Sequence, residues 1–293
     1  MTIKRILVAT DGSPDAERAI DWLEEFPLPA DAAVDVVSAV QAPFAADAAV
    51  ALGWSEFVAE NERVVAEARR RLEKRWSAVT GRVLDGDPRR AIVEAARRAG
   101  SDLIVLGARG LGAVASFLLG SVSLGVTRHA PCPVLVFREP ARPVRTVTIA
   151  IDSSADARVA FEFFADLPLP PDLRVRLVGV VVPLGYPTSV PGFMGSTLRS
   201  VAQDFENEAR RSLEAELRPL AARLRPRVRS VVIAIPAGAP ATTIVRTAEA
   251  EGSDLIVLGA RGLGTFERLA LGSVSESVLR HATCPVLVVR PRG

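Results

Sequence analysis

Scarcity is the first thing this sequence shows. Its 293 residues include two cysteines, two histidines and one tyrosine, and aromatic residues make up 5%. Two cysteines, Cys132 and Cys284, cannot build a disulfide framework and point to a reducing compartment. Net charge is nearly absent: 36 basic and 34 acidic residues leave +2. That field is too weak to hold nucleic acid or an anionic membrane by electrostatics alone. Arginine-rich stretches such as Arg69–Arg71 and 218–229 lie among glutamates without aromatic residues to stack on bases, so they read as solvated helix faces. No apolar run approaches the ~20 residues of a membrane helix. The opening MTIKRILVATDGS lacks the apolar stretch and cleavage site of a secretory signal. A soluble, cytoplasmic chain is expected, with neither nucleic acid nor membrane as partner. Collagen-like and disordered classes are excluded too, because glycine and proline (21 each) show no period and 49% of residues are apolar.

Familiar glycine signatures are missing as well. No Gly-Lys pair exists for a P-loop, and no GxSxG for a hydrolase nucleophile elbow.

What is present is a repeat. Gly100–Gly112 reads GSDLIVLGARGLG, and Gly252–Gly264 repeats it letter for letter, 152 residues later. Extended over Asp85–Arg138, that offset gives 33 identities in 54 positions. Upstream, ILVATDGSPDA (6–16) matches VTIAIDSSADA (147–157) at an offset of 141, so the second copy gains 11 residues between its second and third strands. REPARPVR (138–145) suits a short stiff linker. Two domains follow, 1–140 and 145–293.

Within the first copy, strands are expected at 3–10, 34–40, 82–84, 103–107 and 133–137. Helices are expected at 14–25, 54–79, 88–99 and 121–129, with Ser13 as N-cap and Pro14 and Pro88 in first turns. The second copy repeats the order over 145–151, 155–166, 174–182, 197–224, 229–235, 240–251, 254–259, 273–281 and 285–289. Strands without polar alternation, separated by helices, imply an α/β fold of two doubly wound parallel sheets covered on both faces. Ligands of such sheets lie beyond the carboxyl ends of the strands. That edge carries Asp11, then Ala39 and Val40, then the glycine loop.

The loop reads Gly107-Ala-Arg109-Gly110-Leu-Gly112, followed by Gly120-Ser121-Val122-Ser123 opening a helix, a G-x2-G-x9-G-S spacing. The second copy has it at Gly259, Arg261, Gly262, Gly272, Ser273, Val274 and Ser275. Glycines permit close backbone approach, and a helix start offers free N–H groups and a positive dipole end to an anion. Arg109 and Arg261 add charge that could reach phosphate or ribose. The plainer reading, that the glycines merely turn the chain, is weakened by their presence in both copies.

The strand-1 aspartate, the G-x2-G-x9-G-S loop and the closing HAPCPVLV together resemble the universal stress protein family, and the resemblance spans both copies. It implies a five-stranded order 3-2-1-4-5 in each domain and membership of the branch that binds ATP. Asp11 and Asp152 would then lie near adenosine and ribose, and Ala39 and Val180 would present backbone to adenine. Gly107, Arg109 and Gly110 (Gly259, Arg261, Gly262) would surround ribose and α-phosphate. Gly120, Ser121, Val122 and Ser123 (Gly272, Ser273, Val274, Ser275) would form the phosphate turn, with Mg²⁺ entering on the ATP phosphates. Asp11 and Asp152 also fit simple turn caps, which the ligand role does not exclude.

The fifth strands, PVLVF and PVLVV, would lie at sheet edges, and pairing them edge to edge inside one chain gives an intramolecular pseudo-dimer. A further homodimer and a protein partner are left open. His129-x2-Cys132 and His281-x2-Cys284 could in principle supply a shared zinc site, but dipole-complementing histidines and buried thiols are the stronger reading. The leading function is ATP binding in each domain by a stress-response regulatory module. The alternatives are a slow ATPase or phosphotransferase, with Ser121, Ser123, Ser273 or Ser275 as acceptors, and a nucleotide-free interaction protein.

Overall fold

The computed structural model describes residues 3–41, 48–111, 119–138, 142–184, 192–263 and 271–291. The first half runs β1 (Arg5–Ala9), α1 (Pro14–Glu25), β2 (Ala33–Val40), α2 (Ala48–Leu72), β3 (Val79–Asp85), α3 (Pro88–Ala99), β4 (Leu103–Gly107), α4 (Ser121–His129), β5 (Val134–Phe137). The second runs β6 (Thr146–Ala150), α5 (Ala155–Ala165), β7 (Arg174–Val178), α6 (Gly192–Leu224), β8 (Ser230–Ala234), α7 (Pro240–Ala250), β9 (Leu255–Gly259), α8 (Ser273–His281), β10 (Val286–Val289). Helix starts follow their caps: Ser13 accepts from Ala16 N before Pro14, and Asp87 accepts from Arg89 N and Arg90 N before Pro88.

All ten strands form one sheet, ordered β3-β2-β1-β4-β5-β10-β9-β6-β7-β8. Every pairing within a half is parallel, as crossover helices require. The seam between halves is antiparallel, with Val134 opposite Val288, Leu135 opposite Leu287 and Val136 opposite Val286. The edge pairing expected of the fifth strands is therefore present, and it makes the two halves a pseudo-dimer.

Alternate strand residues feed two apolar layers. Ile6, Val8, Leu135 and Leu287 belong to one, with α1, α2, α5 and α6 above it. Leu7, Ala9, Val134 and Val288 belong to the other, with α3, α4, α7 and α8. Both layers run unbroken through the seam. Across it Arg128 on α4 pairs with Glu276 on α8 at 2.6 Å, and Glu276 also pairs with Arg280.

Several element boundaries differ from expectation: α2 begins at Ala48 rather than 54 and α6 at Gly192 rather than 197, and other ends shift as well. The helix expected over 54–79 ends at Leu72, because Trp76 turns inward and its indole donates to Pro29 O at 2.9 Å, while Arg75 donates to the Glu24 and Leu28 carbonyls at 2.8 Å. The chain is thereby turned into β3, which starts at Val79 rather than 82. The strand expected over 174–182 stops at Val178, leaving Val181 a single bridge to Ala237. Part of the second copy's extra length is helical: α6 has 33 residues where α2 has 25. Gly112 and Gly264 of the repeated motif lie outside the described residues, as do residues 139–141 of the linker.

Candidate functional site

The order 3-2-1-4-5 reverses its direction of winding between β1 and β4, and in the second half between β6 and β9. At each switch the carboxyl ends of two adjacent parallel strands open a crevice between loops that leave in opposite directions. Asp11 leaves β1 there. Its carboxylate accepts from Ser13 N at 3.0 Å and, across the crevice, from Leu111 N at 3.1 Å. The turn-cap reading of Asp11 is thus satisfied, and the same carboxylate faces the glycine loop. A Cβ at Gly110 would meet the Asp11 carboxylate, so the bare glycine lets that side chain reach the loop amide without moving. Asp152 and Gly262 repeat this, with Leu263 N donating to Asp152 at 3.3 Å.

The first loop glycine serves packing. A Cβ at Gly107 would meet Ala16 N at 3.0 Å and the Asp15 carbonyl carbon at 3.1 Å, so its bareness lets α1 sit against the end of β4. Gly259 plays that part under α5, with Ala157 N at 2.7 Å.

Arg109 departs most from its expected setting. Its guanidinium forks the carboxylate of Asp15, with Nε and Nη2 each 2.8 Å from an oxygen, and the Asp15 side chain is only 4% exposed. Arg261 forks Asp156 in the same way at 3.0 and 3.1 Å. Each arginine therefore ties its glycine loop to the first turn of α1 or α5. Asp15 and Asp156 escaped the sequence reading. The one available signal was their recurrence at the 141-residue offset beside the strand-1 motif.

Gly120 and Gly272 start α4 and α8 in extended conformation with no side-chain cap. The first-turn N–H groups at Ser121–Val122 and Ser273–Val274 therefore have no capping side chain, and the positive helix ends face the crevices. Ser121 and Ser273 are exposed. Ser123 and Ser275 are buried: Ser123 Oγ lies 2.8 Å from Gly107 O and 2.9 Å from Ala108 O, and Ser275 Oγ donates to Gly259 O at 2.7 Å. Those two hydroxyls brace the strand end beneath the turn and are closed off as phosphate acceptors.

In the second half the crevice is a cleft of about 210 Å³, walled by Val178, Val180, Ile244 and Val274, with Asp152 and Gly262 at its polar rim. Ala39 and Val180, each partly buried, border the same apolar layer. Burial pushes the Asp152 carboxyl above the ordinary aspartate value. Hydrogen bonds from Ser154 and Leu263 oppose that shift, and the charge of Glu216 adds to it. Glu216 is on α6 and accepts from Ser153 Oγ at 2.6 Å. The matching positions in the first half are Val64 and Gly12. Gly12 has φ +72°, and a Cβ there would sit 2.9 Å from Val64 Cγ2.

His129 and His281 are exposed at the ends of α4 and α8, with Nδ1 at 2.8 Å from Gly125 O and 2.7 Å from Ser277 O. Cys132 and Cys284 are buried, and burial pushes both thiols up to about 12. Among the described residues no group of three or more histidines, cysteines or carboxylates is placed to hold a metal ion.

The model of the universal stress protein family matches residues 2–138 and again 143–290. A universal stress protein of Mycobacterium tuberculosis is 29% identical over 314 residues, covering 97% of this chain and 94% of its own. A universal stress protein of Thermus aquaticus is 55% identical over 56 residues, 19% of this chain and 41% of its own. Among solved structures, a universal stress protein of Archaeoglobus fulgidus superposes with a TM-score of 0.65 at 24% identity, covering 99% of this chain and 98% of its own. That likeness extends to the whole double fold.

Proposed function

Because the chain belongs to the universal stress protein family, twice over, we propose that it is a tandem nucleotide-binding regulatory module. Each of its domains, 1–140 and 145–293, takes one adenine nucleotide, ATP in the first instance. The observation that carries this reading is the uncapped start of α4 and α8, set beside a glycine turn at the switch point of each half. A helix that begins on glycine leaves its first amides free for an anion, and here the fold delivers them to the edge where such sheets bind ligands.

The donor set suits a nucleotide. Amides of Ser121, Val122 and Ser123 (Ser273, Val274 and Ser275) and the exposed hydroxyls of Ser121 and Ser273 take phosphate. Asp11 and Asp152 accept from ribose hydroxyls, beside Gly110 and Gly262. Ala39 and Val180 lie where a base meets backbone and apolar wall. Gly107 and Gly259 hold the helix–strand approach that shapes the crevice. Arg109 and Arg261 act at one remove in this reading, fixing the loop through Asp15 and Asp156 while their positive charge favours phosphate nearby. Mg²⁺ would come with the nucleotide, held by its phosphates. Regulation then follows if two states of the protein bind the nucleotide unequally.

A slow ATPase is the weaker reading, because among the described residues no general base with an orienting partner stands at the crevice, and Ser123 and Ser275 are closed off. Denaturing the purified protein and analysing the released small molecules by mass and absorbance tests the proposal, with nucleotide titration as the second arm. Adenine nucleotide in the supernatant, up to two per chain, is expected. Release of none, together with no binding of ATP on titration, overturns it.

A further inference from the structure

Two arginines cross the seam in opposite directions. Arg138 follows β5, and its Nη2 donates to Leu279 O, in the last turn of α8 of the other half, at 2.9 Å. Arg290 follows β10 and returns the contact, donating through Nη1 to Arg128 O at 3.3 Å and through Nη2 to Thr127 O, at the end of α4. The two positions differ by the repeat offset of 152, so the contact is part of the duplicated design. Arg138 is buried, and burial lowers the proton affinity of both guanidinium groups. A buried cation is costly unless compensated, and here much of the compensation is the negative end of the opposite half's helix.

Each of these arginines also lies within electrostatic reach of its own half's loop pair: Arg138 of Arg109 and Asp15, and Arg290 of Arg261 and Asp156. Arg290 Nε is buried with no hydrogen-bond partner among the described residues. That imperfect fit marks a side chain placed by the helix it reaches.

α4 and α8 are nine residues each, about 13 Å long. One end of each is the turn assigned to phosphate, and the other is the end gripped across the seam. So short a helix moves as a unit, and its tilt at one end is set by what holds the other.

We propose that Arg138 and Arg290 are crossed positioning residues. Arg290 of the second half sets α4 and the turn Gly120–Ser123 of the first, while Arg138 of the first sets α8 and Gly272–Ser275 of the second. Each site is thus completed by the opposite half, and each arginine links the loop of one site to the helix of the other. The proposal rests on the nucleotide reading and deepens it.

The test uses the full chain with one site blocked at a time. In a Gly272→Glu background, which leaves the first-half site, Arg290→Met should weaken ATP binding about fivefold or more, and Arg138→Met less than about twofold. In a Gly120→Glu background the two effects should exchange. Arg290→Lys and Arg138→Lys, which keep a cationic donor, should recover part of the affinity. Equal losses at both sites from either arginine, losses confined to the arginine's own half, or no loss would each overturn the proposal. Hydrogen exchange supplies a readout independent of ligand. Arg290→Met should speed exchange along α4 before α8, and Arg138→Met the reverse. If both single-block parents fail to bind ATP, the nucleotide reading falls. Exchange that follows the crossed pattern would still support the arginines as positioners, and exchange that ignores it would overturn them too.

Discussion

The two halves share a fold and a glycine loop, yet the turn that follows the first strand of each is built differently. In the first half Gly12 goes left-handed and leaves room for Val64 on α2. In the second half Ser153 keeps an ordinary backbone, since no described non-glycine residue has a positive φ, and it hydrogen-bonds Glu216 on α6. The paired positions have changed together, from small against apolar to polar against acidic. The aspartate beside each turn grips its loop amide in the same way in both halves. The hold of the aspartate on its glycine loop has been kept in common while the wall behind it diverged.

The largest effect should come from breaking the feature the halves share. Gly120→Glu should remove one of two nucleotide equivalents and Gly272→Glu the other. Each should lower affinity at its own site by at least about a hundredfold, because a carboxylate then occupies the anion position. Calorimetric stoichiometry, with circular dichroism to confirm the fold, measures this. Two equivalents retained by either variant would refute the site assignment.

Next come the arginine forks, where the halves differ in reinforcement. Arg18 lies 3.9 Å from Asp15 in the first half, and Val159 stands in its place in the second. Arg261→Met strands Asp156 and should cost about 3 kcal/mol in urea unfolding. Arg109→Met should cost up to about 1 kcal/mol less, since Arg18 still partly answers Asp15. Equal losses would remove this distinction.

Exchanging the turns gives a smaller effect. Gly12→Ser should destabilise by about 1–2 kcal/mol, because the side chain must bear a positive φ and press on Val64. The reverse change, Ser153→Gly, should cost under about 1 kcal/mol. Urea midpoints of the two variants give the ordering, and a costlier Ser153→Gly would contradict it.

The smallest difference concerns pH. Asp152 is raised in the folded chain, so the stability it contributes is complete below the ordinary aspartate value of 3.8 and is lost as pH rises through its folded value. Asp152→Asn should flatten that decline in a stability–pH profile. A profile unchanged from wild type would count against burial as the dominant influence.

Much of this architecture was legible in the residues. α1, α3, α4 and α8 begin and end where capping residues, first-turn prolines and the duplicated motif place them. The end of α2 was not, because Trp76 and Arg75 stop it with hydrogen bonds to carbonyls about fifty residues away. The same limit hid the fate of Arg109. Its partner Asp15 is 94 positions distant, and a lone arginine in a glycine loop invites the thought of phosphate before that of a buried carboxylate. Local chemistry is readable in sequence, while pairing across the fold depends on which strands become neighbours.

The seam between β5 and β10 has a consequence for how such a protein can change. In a dimer of identical chains every substitution is made twice, at both symmetry-related positions of the interface. Here the contact surface is heterologous in sequence, so a change is made once. Glu276 bridges Arg128 and Arg280 across or beside the seam, and Leu124 occupies the matching place in the first half. A symmetric assembly would have had to accommodate that glutamate in both subunits. Covalent fusion separates the fates of two equivalent positions, allowing one site to be retuned while its twin keeps the original setting.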